Sequence, residues 1–269
     1  MTIAVRILGC GSSGGVPRVG EGEPIWGACD PENPRNRRMR CSILVSRRGP
    51  GGETRVLVDT SPDLREQLLA ARIGRLDGVL ITHDHADQTH GMDDLRVLVL
   101  QQQGKLLDLW TDRRALDSLR HKFAYIFESQ RGSGYPPIVA GHELPEPFTP
   151  FEVTGPGGPL RVEIFGVGHG RIRSLGFRFG SFAYTPDCDR LDEAAFATLD
   201  GVAVWIVDAL RHAPHPSHAH LERTLEWIAR VRPKRAILTN MHVDMDYDTL
   251  RRELPEGVEP GYDGMVVTY

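Results

Sequence analysis

The segment Gly78-Val79-Leu80-Ile81-Thr82-His83-Asp84-His85-Ala86-Asp87 passes from apolar to metal-ligating chemistry without a break. Its first residues are the aliphatic run of a buried strand. The chain then presents two histidines spaced by one residue and an aspartate two further on. A strand that ends in this way gathers several ligands at one strand-to-loop corner. Imidazole and carboxylate together suit zinc, manganese or iron better than calcium or magnesium.

Working outward, the same kind of residue recurs where other apolar runs end. His169 sits in Gly166-Val167-Gly168-His169-Gly170 after a run at 160–165. Asp187 closes Tyr184-Thr185-Pro186-Asp187 after a run at 182–184, and Asp59 follows a run at 55–58. Each of these residues alone suits a turn or a helix cap. Their shared position at strand ends makes them candidates for one site, with Asp59 orienting a ligand through a hydrogen bond.

Further strands are expected at 3–8, 41–45, 78–82, 175–179, 203–207, 236–238 and 265–268, and helices at 62–71, 115–123 and 221–231. Gly- and Pro-rich stretches at 11–36, 47–53, 129–146 and 154–159 read as loops, the first long enough to lie over a site. Strands dominate early, and strand alternates with helix later. This order points to an α/β protein with two β-sheets flanked by helices rather than a doubly wound parallel sheet. Residues 1–269 are expected to form one domain.

Composition narrows the function. With 40% hydrophobic and 25% charged residues and a net charge of −4, the chain reads as an ordinary soluble protein with no global basic signal for nucleic acid. No apolar run approaches the ~20 residues that span a bilayer, and the start of the chain lacks a secretory pattern, so a cytoplasmic location is expected. Cys10, Cys29, Cys41 and Cys188 form no CxxC pair and are expected to be reduced. Arg35, Arg37, Arg38 and Arg40 crowd one stretch that reads either as a solvated face or as a phosphate contact.

The order Asp59, His83-Asp84-His85-Ala86-Asp87, His169, Asp187 and a late strand-end histidine resembles the metallo-β-lactamase superfamily of hydrolases. The opening Gly9-Cys10-Gly11-Ser12-Ser13-Gly14-Gly15-Val16-Pro17 and the segment Asp59-Thr60-Ser61-Pro62-Asp63-Leu64-Arg65 are most similar to the phosphoribosyl cyclic phosphodiesterase (PhnP-like) branch. That branch neighbours the tRNA 3′-processing endonucleases and the PqqB-type proteins. The resemblance implies an αββα four-layer sandwich with two divalent metals, zinc or manganese with iron as a further option, at one edge of the sheets. It implies that His83, His85 and His169 bind one metal, that Asp187 bridges both, and that Asp87 binds the second and takes part in catalysis. Such a pair can generate a hydroxide near neutral pH.

The sequence departs from that pattern at Gln88 and Asn240, where histidines are usual or frequent. If the strand at 236–242 persists, alternation places Leu238, Asn240 and His242 on one face, so His242 is expected to complete the second metal site. His90 is the rival, and a single tight metal is the alternative to both. His218, in Pro214-His215-Pro216-Ser217-His218-Ala219-His220 ahead of a helix, matches the general acid of the phosphodiesterase branch.

The leading expectation is a metal-dependent phosphodiesterase acting on a small sugar or nucleotide phosphodiester, cyclic ones included. A nuclease processing RNA is disfavoured by the lack of a basic arm. A binding or carrier protein with a decayed second metal site is favoured by Gln88 and Asn240. The partner expected is the small substrate, with no membrane and with a homodimer allowed.

Overall fold

The computed structural model describes residues 2–129, 131–132 and 134–269. Two seven-stranded sheets form its centre. The first contains β1 (Thr2–Gly9), β2 (Ser42–Gly49), β3 (Gly52–Val58), β4 (Gly78–Leu80), β5 (Leu107–Thr111), β6 (Val139–Glu143) and β14 (Val266–Thr268), in the order β14-β1-β2-β3-β4-β5-β6. The second contains β7 (Phe151–Val153), β8 (Leu160–His169), β9 (Ile172–Phe179), β10 (Phe182–Thr185), β11 (Val204–Asp208), β12 (Arg235–Thr239) and β13 (Val258–Pro260), ordered β13-β12-β11-β10-β9-β8-β7. Both sheets are mixed: β1, β2 and β3 pair antiparallel before β3 to β6 run parallel, and β7 to β10 pair antiparallel before β10 to β13 run parallel.

The period-2 alternation of strands sorts the aliphatic side chains into layers. Val5, Ile7, Ile43, Val45, Val56, Val58 and Leu80 meet Val162, Leu175, Phe177 and Tyr184 in the core between the sheets. The intervening Leu8, Leu44, Leu57, Val79 and Ile81 face outward onto helices. Those helices are α1 (Leu64–Ala71), α3 (Leu95–Gln101), α4 (Arg113–Lys122) and α5 (Ala124–Phe127), with the short α2 (Ala86–Thr89) following the His83 corner. On the second sheet α6 (Glu193–Leu199), α7 (Leu221–Val231) and α8 (Tyr247–Glu253) bury Leu199, Trp227, Ile228 and Leu250. The result is the expected two-sheet arrangement flanked by helices.

Several elements depart from the sequence reading. Residues 47–53 are a tight hairpin rather than a loop, because β2 and β3 pair as far as Gly49 and Gly52. The loop expected at 129–146 contains β6, whose partner β5 also escaped the periodicity reading; residues 130 and 133 within it lie outside the described residues. Helices α6 and α8 are only seven residues long and are set by caps rather than by periodicity: Asp192 and Asp246 accept from Ala195 N and Thr249 N. The strand expected at 236–238 is present as β12, but it does not persist to His242: it stops at Thr239, and Asn240 turns to φ 61°. No helix of the described residues is long and apolar enough to cross a membrane.

Candidate metal centre and catalytic cleft

The C-terminal ends of β3, β4, β8, β10, β11 and β12 bring Asp59, His83, His169, Asp187, Asp208 and Asn240 to one edge of the two sheets. His83, His85 and His169 form a near-equilateral triangle with ring centroids 4.5, 4.9 and 5.0 Å apart. Their ligand atoms all lie within 4.8 Å of one another.

Hydrogen bonds fix which nitrogen of the His83 and His169 rings is free. Asp59, itself in the left-handed region at φ 64°, accepts from Thr82 N at 2.8 Å and from Thr82 Oγ1 at 3.0 Å. The threonine hydroxyl has then spent its only proton, so it accepts from His83 Nδ1 at 3.0 Å. His83 Nε2 is left bare, buried and without a partner. His169 Nδ1 donates to the Ser217 carbonyl at 2.7 Å, which turns His169 Nε2 toward His85 Nδ1 at 3.2 Å. A tetrahedral ion held about 2.0–2.1 Å from imidazole nitrogens sets them roughly 3.3 Å apart. Burial pushes the His83, His85 and His169 imidazoles below their ordinary range, His169 to about 4, so they are neutral ligands near pH 7. The triad therefore fits a divalent metal, and Asp187, grouped with His169 and His218, is the carboxylate within its reach.

The second position is built differently. Gln88 is fully buried between Asp87 and Asp187, and its Nε2 donates to Asp87 Oδ2 at 3.3 Å and to Asp187 Oδ2 at 3.2 Å. Only the N–H end of an amide can face two carboxylates. A donor thus stands where a second cation would need bare ligand atoms. Asn240 repeats the pattern, with Nδ2 donating to Asp208 Oδ1 at 3.2 Å and lying 3.5 Å from Asp187 Oδ1. Amide N–H groups of Gln88 and Asn240 thus occupy the position where the resemblance implies ligands of a second metal.

His242, expected to compensate, stands outside both ligand groups. Because β12 ends at Thr239, alternation no longer carries His242 toward the carboxylates. Its backbone N–H instead donates to Leu210 O, and its Nδ1 lies 3.0 Å from Asp244 Oδ1. His90 also stays away, edge-on to Phe123. The arginine cluster is structural. Arg40 is paired with Asp63, Arg35 covers Tyr247 and Tyr262, and Arg37 covers Trp26. Arg38 is buried and donates to Asn36 Oδ1 and Met245 O.

His218 completes the edge. Its Nδ1 lies 2.9 Å from Asp208 Oδ2 and 3.8 Å from Asp187 Oδ1. Burial opposes protonation, but Asp208, Asp187 and Asp87 outweigh it and push His218 up to about 9. Burial likewise pushes the Asp187 and Asp208 carboxyls up. Asp208 is pinned by Cys188 N at 3.0 Å, and Thr224 Oγ1 on α7 donates to its carbonyl at 2.6 Å. Asp208 and Thr82 were not singled out from sequence. The signal for Asp208 was a carboxylate ending the wholly apolar run 204–207 shortly before a histidine-rich loop.

Comparison with known proteins agrees with this geometry. Residues 54–241 match the family model described as a beta-lactamase superfamily domain. An octanoyltransferase of Porphyromonas gingivalis is 32% identical over 264 residues, which cover 96% of this chain but only 50% of that protein, so the chain spans about half the length of this relative. The crystal structure of a diphosphatase from the PhnP family superposes with TM-score 0.87 at 31% identity, covering 100% of this chain and 98% of the other. Zinc-bound PqqB from Methylobacterium extorquens shares the fold, with TM-score 0.71 at 20% identity over 98% of this chain and 99% of its own. With its two-sheet core, its strand-end histidine triad and these matches, the chain belongs to the beta-lactamase superfamily, as a metallo-β-lactamase-fold protein close to the PhnP family.

Proposed function

We propose that this protein is a metal-dependent phosphodiesterase that hydrolyses a small phosphodiester, with sugar and nucleotide esters, including cyclic ones, as the substrate class. The observation that carries this reading is the bare, buried Nε2 of His83 in the triad, close to an imidazole that a carboxylate keeps protonated. A divalent ion held by His83, His85 and His169, with Asp187, would supply Lewis-acid polarisation of the phosphoryl oxygen and acidification of water.

The chain's own residues do the rest. His218 Nδ1 is committed to Asp208, so the transferable proton is carried on Nε2, from which it passes to the departing oxygen. Asp208 positions the ring and stabilises its charged form. Asp87, lining the same cleft as His218, holds the Gln88 amide and orients groups entering there. The similarity to a PhnP-family diphosphatase supports phosphorus-ester chemistry. The four buried free cysteines support a reducing, cytoplasmic location.

A second reading, a binding or carrier protein, is favoured by one observation: the Gln88 amide lies between Asp87 and Asp187. Turnover of bis(p-nitrophenyl) phosphate by protein reconstituted with zinc, manganese or iron, measured beside its metal content, separates the two. Hydrolysis that is lost on chelation and restored by metal is expected. Full metal loading without turnover would leave the carrier reading.

A further inference from the structure

His85 is held differently from the other two histidines of the triad. Thr82 Oγ1 orients His83 and the Ser217 carbonyl orients His169, each through the Nδ1 of the ring. His85 is exposed, and among the described residues its ring makes one hydrogen-bond contact, at 3.2 Å, with His169 of the triad itself. A ligand without an outside partner on its ring keeps its aim only if the backbone that carries it is fixed.

The residue between the two histidines fixes that backbone. Asp84 is buried, and its carboxylate turns to α4. Arg114 donates to its Oδ1 at 2.7 Å and Ser118 Oγ to its Oδ2 at 2.6 Å. Lys122 Nζ donates to Oδ2 at 3.2 Å and to the Asp84 carbonyl at 2.8 Å. These three donors follow one another at four-residue intervals, so they share one face of the helix. Charge-assisted bonds to both ends of one residue leave it little freedom.

The helix is itself anchored. It follows β5, the neighbour of β4, its Asp112 cap accepts from Ala115 N at 2.8 Å, and Ala115, Leu116 and Leu119 are buried. Beyond the corner, the His85 carbonyl accepts from Thr89 Oγ1 at 2.7 Å and from Gln88 N at 3.2 Å. His85 thus stands between two fixed segments. With Asp84 drawn to α4, the side chains before and after it fall on the opposite side, where they meet His169.

We propose that Asp84 is the positioning residue of His85: clamped by Arg114, Ser118 and Lys122 of α4, it fixes the corner so that His85 is preorganised to bind a divalent metal. The inference rests on the metal-centre reading and gives α4 a part in it. A ligand already in place spares the ordering cost that a mobile one brings to binding. The two cations also commit the Asp84 carboxylate, which acts as a clamp and stands outside the ligand groups.

The test is competition for zinc against a chromophoric chelator, with the absorption bands of the cobalt(II)-loaded protein as a second reading. The proteins are wild type, Asp84→Asn, Ser118→Ala, the double variant Arg114→Gln, Lys122→Gln, and the triple variant that adds Asp84→Asn to it. Asp84→Asn should weaken zinc by about 10- to 100-fold and shift the cobalt bands, which a loss of global stability alone would not move. The double variant should show much of that loss. The triple variant should lose no more than Asp84→Asn does, because the groups act as one unit. Wild-type affinity and cobalt bands in Asp84→Asn, or losses that add in the triple variant, would overturn the clamp. Where Asp84→Asn does not fold, Ser118→Ala decides: it removes one hydrogen bond and should weaken zinc by about 2- to 10-fold, and unchanged affinity would overturn the clamp. A wild type that binds no zinc would discard the metal-centre reading and the inference with it, whereas zinc binding indifferent to Asp84 would discard the clamp alone.

Discussion

Asp208 Oδ2 accepts from His218 Nδ1 at 2.9 Å, a contact between the end of β11 and the loop that leads into α7. With Asp187 and Asp87 nearby it holds the imidazole protonated up to about pH 9. The sign follows. A histidine unfolded near ~6.5 and folded near 9 stabilises the native state fully below about pH 6.5, and that contribution is lost as pH rises through 9. In Asp208→Asn, His218 should titrate at lower pH in the metal-free protein, read from its ring proton shifts. The alkaline limb of the pH–rate profile should move down with it. An unmoved limb would remove Asp208 as the positioning residue.

His218→Ala should keep its metal and lose about 10²–10⁴-fold in rate on alkyl phosphodiesters, whose leaving oxygen needs a proton. Aryl esters should slow far less. Equal slowing of both substrates would make His218 a structural residue.

Metal content tests the amide between the carboxylates. The wild type should bind one equivalent tightly by elemental analysis after dialysis, and the double variant Gln88→His, Asn240→His should bind two. Two equivalents in the wild type would show that the Gln88 amide swings aside from Asp87 and Asp187.

Thr82→Val breaks the chain from Asp59 to His83 while keeping the side-chain shape. The expected outcome is a metal affinity lowered by about 10- to 100-fold in competition with a chromophoric chelator. The fold, followed by circular dichroism, should persist.

Arg38→Ala should lower stability by about 2–4 kcal/mol in denaturant melts, because it leaves the buried Met245 carbonyl without its donor and Asn36 Oδ1 with Tyr247 N alone. Arg37→Ala, which removes only a stacked surface cation, should change it by less than about 0.5 kcal/mol.

Local chemistry by itself determined the layers and the triad. Alternation in β1 to β4 already separates Ile43 and Val58 from Leu44 and Leu57, and each triad residue sits at or just beyond the apolar run that carries it. His83, His85, His169 and Asp187 were therefore legible as strand-end residues, and the architecture followed from the order of strands and helices. Strands β5 and β6 and helices α6 and α8 were not, because they are short and owe their form to partners and caps. Only the tertiary structure decided what stands at the second position. Gln88 acts as a donor because carboxylates that follow strands of different sheets flank it, and His242 stays outside the ligand groups because Asn240 breaks the strand two residues earlier. The pairings of Asp208 with His218 and of Asp59 with Thr82 belong to the same class. Each depends on which groups from distant segments come within hydrogen-bonding range, a relation no local pattern encodes.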